Sequence, residues 1–82
     1  MTFIITENGQ AVVDVIDHYI ERGATILHGY GSYTKQDKEI VMCACNNKQM
    51  YIIKKKIKEV DEKAFIVVME SNEVVGEGFK EE

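Results

Sequence analysis

Two stretches of three- and four-residue apolar periodicity, each bracketed by short β-branched and aromatic runs, leave this chain few ways to fold. The first, Val12, Val13, Ile16, Tyr19 and Ile20, puts Asp14, Asp17, His18 and Glu21 mostly on the opposite face. The second, Met50, Ile53, Ile57 and Val60, leaves Lys54, Lys55 and Lys58 largely on the wet side. Both patterns predict amphipathic helices. Their starts are marked too. Asn8 offers a side-chain oxygen to the orphan amides of a first turn. Asn46, with Gln49 three residues on, makes a capping-box pattern. Gly23 follows the last periodic residue of the first helix, where a left-handed glycine ends a helix at little cost.

The runs between these helices read as strands: residues 2–6, 25–33, 39–45 and 64–69. Gly29 and Gly31 weaken the second, and the polar patch Thr34-Lys35-Gln36-Asp37-Lys38 predicts a hairpin turn before the third. Residues 73–79 add a short edge strand or a loop. The resulting order, β-α-β-β-α-β, is the split-βαβ or ferredoxin-like arrangement. It is an α+β sandwich, a four-stranded antiparallel sheet with two helices on one face. Residues 1–82 show no repeat or linker and are expected to form one domain. A chain of 82 residues buries only roughly 60–65% of the surface its unfolded form exposes.

Two helices cover one sheet face, so the other should show polar residues if it met water. From Ile40 on, the third strand shows none: Ile40, Met42 and Ala44 point one way, Val41, Cys43 and Cys45 the other. The fourth opposes Phe65, Val67 and Met69 to Ile66 and Val68. Both faces read as dry, and a bare apolar patch above a few hundred Å² is unusual on a soluble monomer. Self-association resolves this, as does burial under another domain of a longer protein.

Charge and cysteine usage narrow the partners. The net charge of −4 repels phosphate backbones, so no nucleic-acid partner is expected. The third strand also lacks the basic, aromatic character of RNA-binding modules that share the fold. An apolar run as long as any in the chain, residues 64–69, falls far short of the ~20 residues of a membrane helix. No basic region precedes Phe3-Ile4-Ile5, so this start is not expected to be a signal peptide. Cys43 and Cys45, two apart on a strand, would be strained if bridged, which favours a reducing, cytoplasmic compartment.

The segment Gly29-Tyr30-Gly31-Ser32-Tyr33-Thr34 is the first candidate site. Alternating glycines strip one strand face of side chains, where a ligand or another backbone can approach. Tyr30 and Tyr33 offer stacking faces, Ser32 and Thr34 hydroxyls, and turn amides suit a phosphate. Against this stands a packing role, with the glycines giving twist or room for a neighbour. Gly-x-Gly alone is too short for a dinucleotide fingerprint. His28, Cys43 and Cys45 form a second cluster if the hairpin folds around Gln36, which places His28 opposite Cys43 and Ala44. They supply three soft ligands where structural zinc takes four, and buried cysteines usually act as small hydrophobes. No metal or cofactor is expected.

Catalysis finds no support either. Neither His18 nor His28 stands beside a nucleophile with an orienting carboxylate, and Asp61-Glu62 reads as a solvated pair at a helix end. An acylphosphatase-like site needs an arginine in a glycine-rich anion loop, and Arg22 sits at a helix end. The expectation is that this is not an enzyme. The run Lys54-Lys55-Lys56-Ile57-Lys58 fits a phosphate or an anionic membrane surface, or simply the wet side of a helix with Lys58 and Glu62 spaced for contact.

Four segments carry a family resemblance: Arg22-Gly23-Ala24-Thr25, Gly29-Tyr30-Gly31-Ser32-Tyr33-Thr34, Glu59-Val60-Asp61-Glu62-Lys63-Ala64-Phe65 and Glu73-Val74-Val75-Gly76-Glu77-Gly78-Phe79. In these the chain resembles the C-terminal domain of YitT-type bacterial membrane proteins over nearly its whole length. That family usually shows arginine-glycine-valine-threonine, a glycine-x-tyrosine-threonine turn, carboxylate-proline-alanine-phenylalanine and glycine-x-glycine-phenylalanine. Glu62 or Lys63 stands here where the proline is common, and Ser32 takes the variable place before Tyr33.

The resemblance implies a domain on the cytoplasmic side of the cell membrane, tied to it only through an attached transmembrane region outside this chain. It also implies likeness to PII-like signalling proteins, which form trimers around their sheets and bind nucleotides between subunits. The long PII loop between the second and third strands has no counterpart in the short turn here, so its partner-binding role is not carried over. The expectation is then a homo-oligomeric, regulatory domain sensing a small molecule or nucleotide. Gly29, Gly31, Tyr33 and Thr34 would line the ligand cleft, closed by Gly76, Gly78 and Phe79. The alternative is a purely structural oligomerisation domain with no ligand.

Overall fold

The run Thr2–Thr6 forms strand β1, and its alternation is strict: Thr2, Ile4 and Thr6 are buried, Phe3 and Ile5 half-buried. In this computed structural model, which describes residues 1–70, helix α1 (Gly9–Ile20), strands β2 (Thr25–Tyr30) and β3 (Asp37–Cys43), helix α2 (Asn47–Val60) and strand β4 (Phe65–Val68) follow. The sheet order is β2-β3-β1-β4 with every neighbouring pair antiparallel. Strands β1 and β2 thus run parallel with β3 between them, the split βαβ of the ferredoxin-like fold.

The core lies between sheet and helices. Ile4 and Val41 from the sheet meet Val12 and Ile16 of α1 and Ile53 and Ile57 of α2, all fully buried. Each such side chain contributes about 1.5–3 kcal/mol relative to exposure. The α1 stripe is rotated from the one its spacing predicts. Val15 joins the core, while Tyr19 stays at the margin, edge-on to His18 and under the Lys56 ammonium at 5.4 Å. Val60, expected in the α2 stripe, is exposed, as is Met69 beyond the end of β4.

Both N-caps form as the sequence predicts. The Asn8 side chain accepts from the Ala11 amide at 3.2 Å. Asn46 and Gln49 exchange bonds of 2.8 and 3.0 Å, completing the capping box. A carboxylate adds to the first: Glu39 of β3 accepts from the Gly9 amide at 2.7 Å, placing negative charge at the positive end of α1.

Two local expectations are corrected. The left-handed residue ending α1 is Glu21 (φ 52°), not Gly23, because the Glu21 amide already closes onto the Asp17 carbonyl at 3.1 Å. The chain turns inward one residue later and buries Arg22. The hairpin also turns earlier than its polar patch suggests. Gly31 N–H donates to Gln36 O and Lys35 N–H to Gly31 O, both at 2.8 Å, with Lys35 at φ 62°. Strand β2 therefore stops at Tyr30 and β3 starts at Asp37.

Candidate functional site

Among the described residues the helices leave one face of the sheet open, and strand register lines its residues into rows. Leu27, Ile40, Ile5 and Phe65 form one row across all four strands. Thr25, Met42, Phe3 and Val67 form the next. Leu27 and Phe65, on the edge strands, are 42% and 63% exposed, while the central members shield one another to half-burial. Beyond the first row the face turns polar: Gly29 pairs with Lys38, whose ammonium lies 3.4 Å from Glu7. The surface is an apolar patch with a charged rim at the hairpin end.

The glycine–tyrosine segment sits at that rim. A β-carbon on Gly29 would meet Ile40 Cδ1 at 2.7 Å, and one on Gly31 would meet Thr34 Oγ1 at 2.6 Å. Neighbouring side chains of the same hairpin thus fill the two places that the glycines vacate. Tyr33 at the tip is 95% exposed and Tyr30 63%. Of the residues expected to line a cleft, Gly29, Gly31, Tyr33 and Thr34 are brought together on this hairpin. Gly76, Gly78 and Phe79 lie outside the described residues.

The cysteines make a second site without the histidine. The hairpin turn pairs His28 with Glu39 rather than with Cys43, so His28 lies four residues along β3 from that thiol. Cys43 is buried and Cys45 half-buried, both as free thiols. The two thiols act on each other: Cys45, with burial adding to it, pushes the Cys43 thiol well up, and Cys43 draws the Cys45 thiol down to about 6. The Thr2 hydroxyl, 3.5 Å from Cys45 Sγ, also favours the Cys45 thiolate. Buried Arg22 adds a weaker pull, a role that only its place beside Gly23 in a family-like motif could have flagged. Among the described residues no three His, Cys, Asp or Glu side chains converge as metal ligands.

Asp61 is not the solvated carboxylate its position suggested. Its Oδ2 accepts from the buried Thr6 hydroxyl at 2.5 Å and from the Glu7 amide at 3.4 Å, and its Oδ1 from the Lys63 amide at 3.1 Å. The Thr6 hydroxyl, ahead of the backbone amides, holds this carboxyl below its ordinary value. Lys58 closes the same corner by donating to the backbone carbonyls of Glu62 and Ala64, rather than to the Glu62 side chain. This network ties the α2–β4 loop to the start of α1 and is structural.

Residues 22–76 match the family model described as "Uncharacterized protein conserved in bacteria (DUF2179)", more than half of the chain. The chain is 40% identical over 80 residues to the UPF0750 membrane protein YvjA of Bacillus subtilis, covering 98% of this chain and 28% of that protein. It is 27% identical over 73 residues to the UPF0750 membrane protein YitT of the same organism, covering 89% of this chain and 26% of YitT. The chain thus spans about a quarter of the length of these relatives. The crystal structure of a DUF2179 protein from Eubacterium ventriosum superposes with a TM-score of 0.68 at 25% identity, over 83% of this chain and 93% of that one. With its ferredoxin-like sheet, its hairpin motif and these matches, the chain belongs to the DUF2179 family and corresponds to one domain of the YitT-type membrane proteins.

Proposed function

We propose that this domain is an assembly module, joining copies of a YitT-type membrane protein through the open face of its sheet. The observation that carries this reading is the pair of largely apolar rows crossing four strands, with no helix over them among the described residues. A patch of this kind favours burial over exposure by roughly 25 cal/mol per Å². The charged Lys38–Glu7 rim limits it on the hairpin side. By analogy with PII-like proteins, the assembly is a trimer. No catalytic step belongs to this reading. Two free cysteines fit a reducing compartment, and so a place on the cytoplasmic side of the membrane.

A second reading adds ligand sensing, and the observation favouring it is Tyr33, nearly fully exposed at the hairpin tip beside the assembly face. In an oligomer that ring stands at a subunit boundary, where it would stack on a small molecule or nucleotide. The Gly29 and Gly31 places are filled, so the contact is made by the Tyr33 ring and Thr34 hydroxyl rather than by bare backbone.

Light scattering on the chain and on Leu27→Glu and Phe65→Glu variants tests the assembly reading. The parent is expected to be oligomeric at micromolar concentration and each variant monomeric with unchanged far-UV circular dichroism. A monomeric parent overturns it. Thermal-shift measurements with nucleotides, cyclic dinucleotides and small anions test the second. Flat melting temperatures for a protein shown to be assembled would sink ligand sensing and leave assembly standing.

A further inference from the structure

Half of the basic residues of this chain stand on one helix. Helix α2 carries Lys48, Lys54, Lys55, Lys56 and Lys58 against a single acid, Glu59, for a net +4. The whole chain totals −4, so everything outside α2 sums to −8. Soluble surfaces usually mix the two signs; this one separates them, with Asp14 and Asp17 on the exposed face of α1.

Two of the five lysines are engaged within the chain. Lys56 lies against Glu59 at 3.8 Å and over the Tyr19 ring, and Lys58 donates to the carbonyls of Glu62 and Ala64. Lys48, Lys54 and Lys55 are exposed and make no ion pair with any described residue. Between them stands Tyr51, 84% exposed, at three- and four-residue steps from all of them. The buried positions of the helix, Gln49, Ile53 and Ile57, lie on its other side. An exposed aromatic ring framed by lysines that pair with no described residue is the combination that suits a bilayer surface. The amphipathic ring sits at headgroup depth, and each ammonium meets anionic lipid.

We propose that the outer face of α2 docks on anionic lipid headgroups through Lys48, Tyr51, Lys54 and Lys55. The curated relatives are membrane proteins of which this domain is about a quarter, so a bilayer adjoins the domain in such a protein. The acidic remainder of the chain opposes docking only within screening range, about 8–10 Å at physiological salt, so the local +4 governs the contact. Strand β1 begins at the end of the sheet where α2 begins, since Thr2 pairs with Cys43 just before that helix. The docking face and the open sheet face lie on opposite sides of the domain, so a bilayer contact leaves the sheet available for assembly.

The test is sedimentation of the full chain with vesicles of phosphatidylcholine alone or with roughly one-third phosphatidylglycerol. The chain is expected to bind the anionic vesicles at low salt, release them as salt rises, and ignore the neutral ones. Each lysine replaced by alanine among Lys48, Lys54 and Lys55 should weaken binding about fivefold, and all three about a hundredfold. Tyr51→Ser should weaken it without changing its salt dependence. These side chains are exposed, so circular dichroism and melting temperature should not move. Equal binding to both vesicle types, binding to neither, or full binding by the triple variant overturns the proposal. Retention of a single-stranded oligonucleotide without vesicle binding points to nucleic acid and overturns it as well.

Discussion

Ile40 Cδ1 lies 2.7 Å from the point where Gly29 would carry a β-carbon, so the isoleucine of one strand fills the side-chain place of its diagonal neighbour. The glycine is there to let Ile40 lie flat on the open face, where it joins the row from Leu27 to Phe65. Gly29→Val forces that side chain off its seat. It is expected to cost about 1–3 kcal/mol in urea unfolding, the range for overpacking. Gly29→Ala should cost less, because only the end of a flexible side chain must move. A valine variant as stable as the parent would show that Ile40 does not depend on the vacancy.

Asp61 and Thr6 give a pH-dependent contribution. Folding lowers the Asp61 pKa below its ordinary 3.8, so the stabilisation is fully present above that value. It is lost as pH falls through the lower folded value. Asp61→Ala also leaves the buried Thr6 hydroxyl proton without its acceptor and should destabilise by about 1–3 kcal/mol at neutral pH. The difference in urea midpoint between parent and Asp61→Asn should hold constant above about pH 5 and shrink in stronger acid. A difference that grows on acidification contradicts the assignment.

Cys45 should react and Cys43 should not. The neighbouring Cys43 thiol draws the Cys45 thiol down to about 6, so iodoacetamide labelling of Cys45 is expected to reach half its maximal rate near that pH. Cys43, 2% exposed, should label only after unfolding. Peptide mapping of the labelled chain decides this. Equal labelling of both thiols in the native protein would refute the arrangement.

The α2 capping box carries a simpler expectation. Asn46→Ala removes the acceptor of the Gln49 amide and should cost about 1 kcal/mol. In a domain of this size that lowers the melting temperature by about 4–8 °C. Asn46→Ser or Asn46→Asp should restore most of the loss in the same thermal melt. Failure of both to do so would place the effect elsewhere.

Much of the fold was legible because its signals are local. The apolar steps of α2 as far as Ile57, the oxygen of Asn8 and the Asn46–Gln49 exchange act within one turn of chain, and each appears where its spacing predicts. The hairpin was less legible. Its polar patch lies at 34–38, but the bonds between Gly31 and both Lys35 and Gln36 close the turn earlier, which moved His28 from Cys43 to Glu39. Of the candidate site, the clustering of Gly29, Gly31, Tyr33 and Thr34 was readable from the sequence. That Ile40 and Thr34 occupy the glycine places was not, since it depends on partners across the turn.

The sequence by itself determined which segments are helix and strand, their β-α-β-β-α-β order and the apolar character of both sheet faces, because periodicity and capping are properties of neighbours along the chain. Only the tertiary structure decided that Glu39 reaches the start of α1, that Arg22 is buried within reach of the cysteines' charge and that Asp61 holds Thr6. Those contacts join residues tens of positions apart. Whether a buried polar group finds its partner depends on where the packed sheet and helices place it, which no spacing along the chain records.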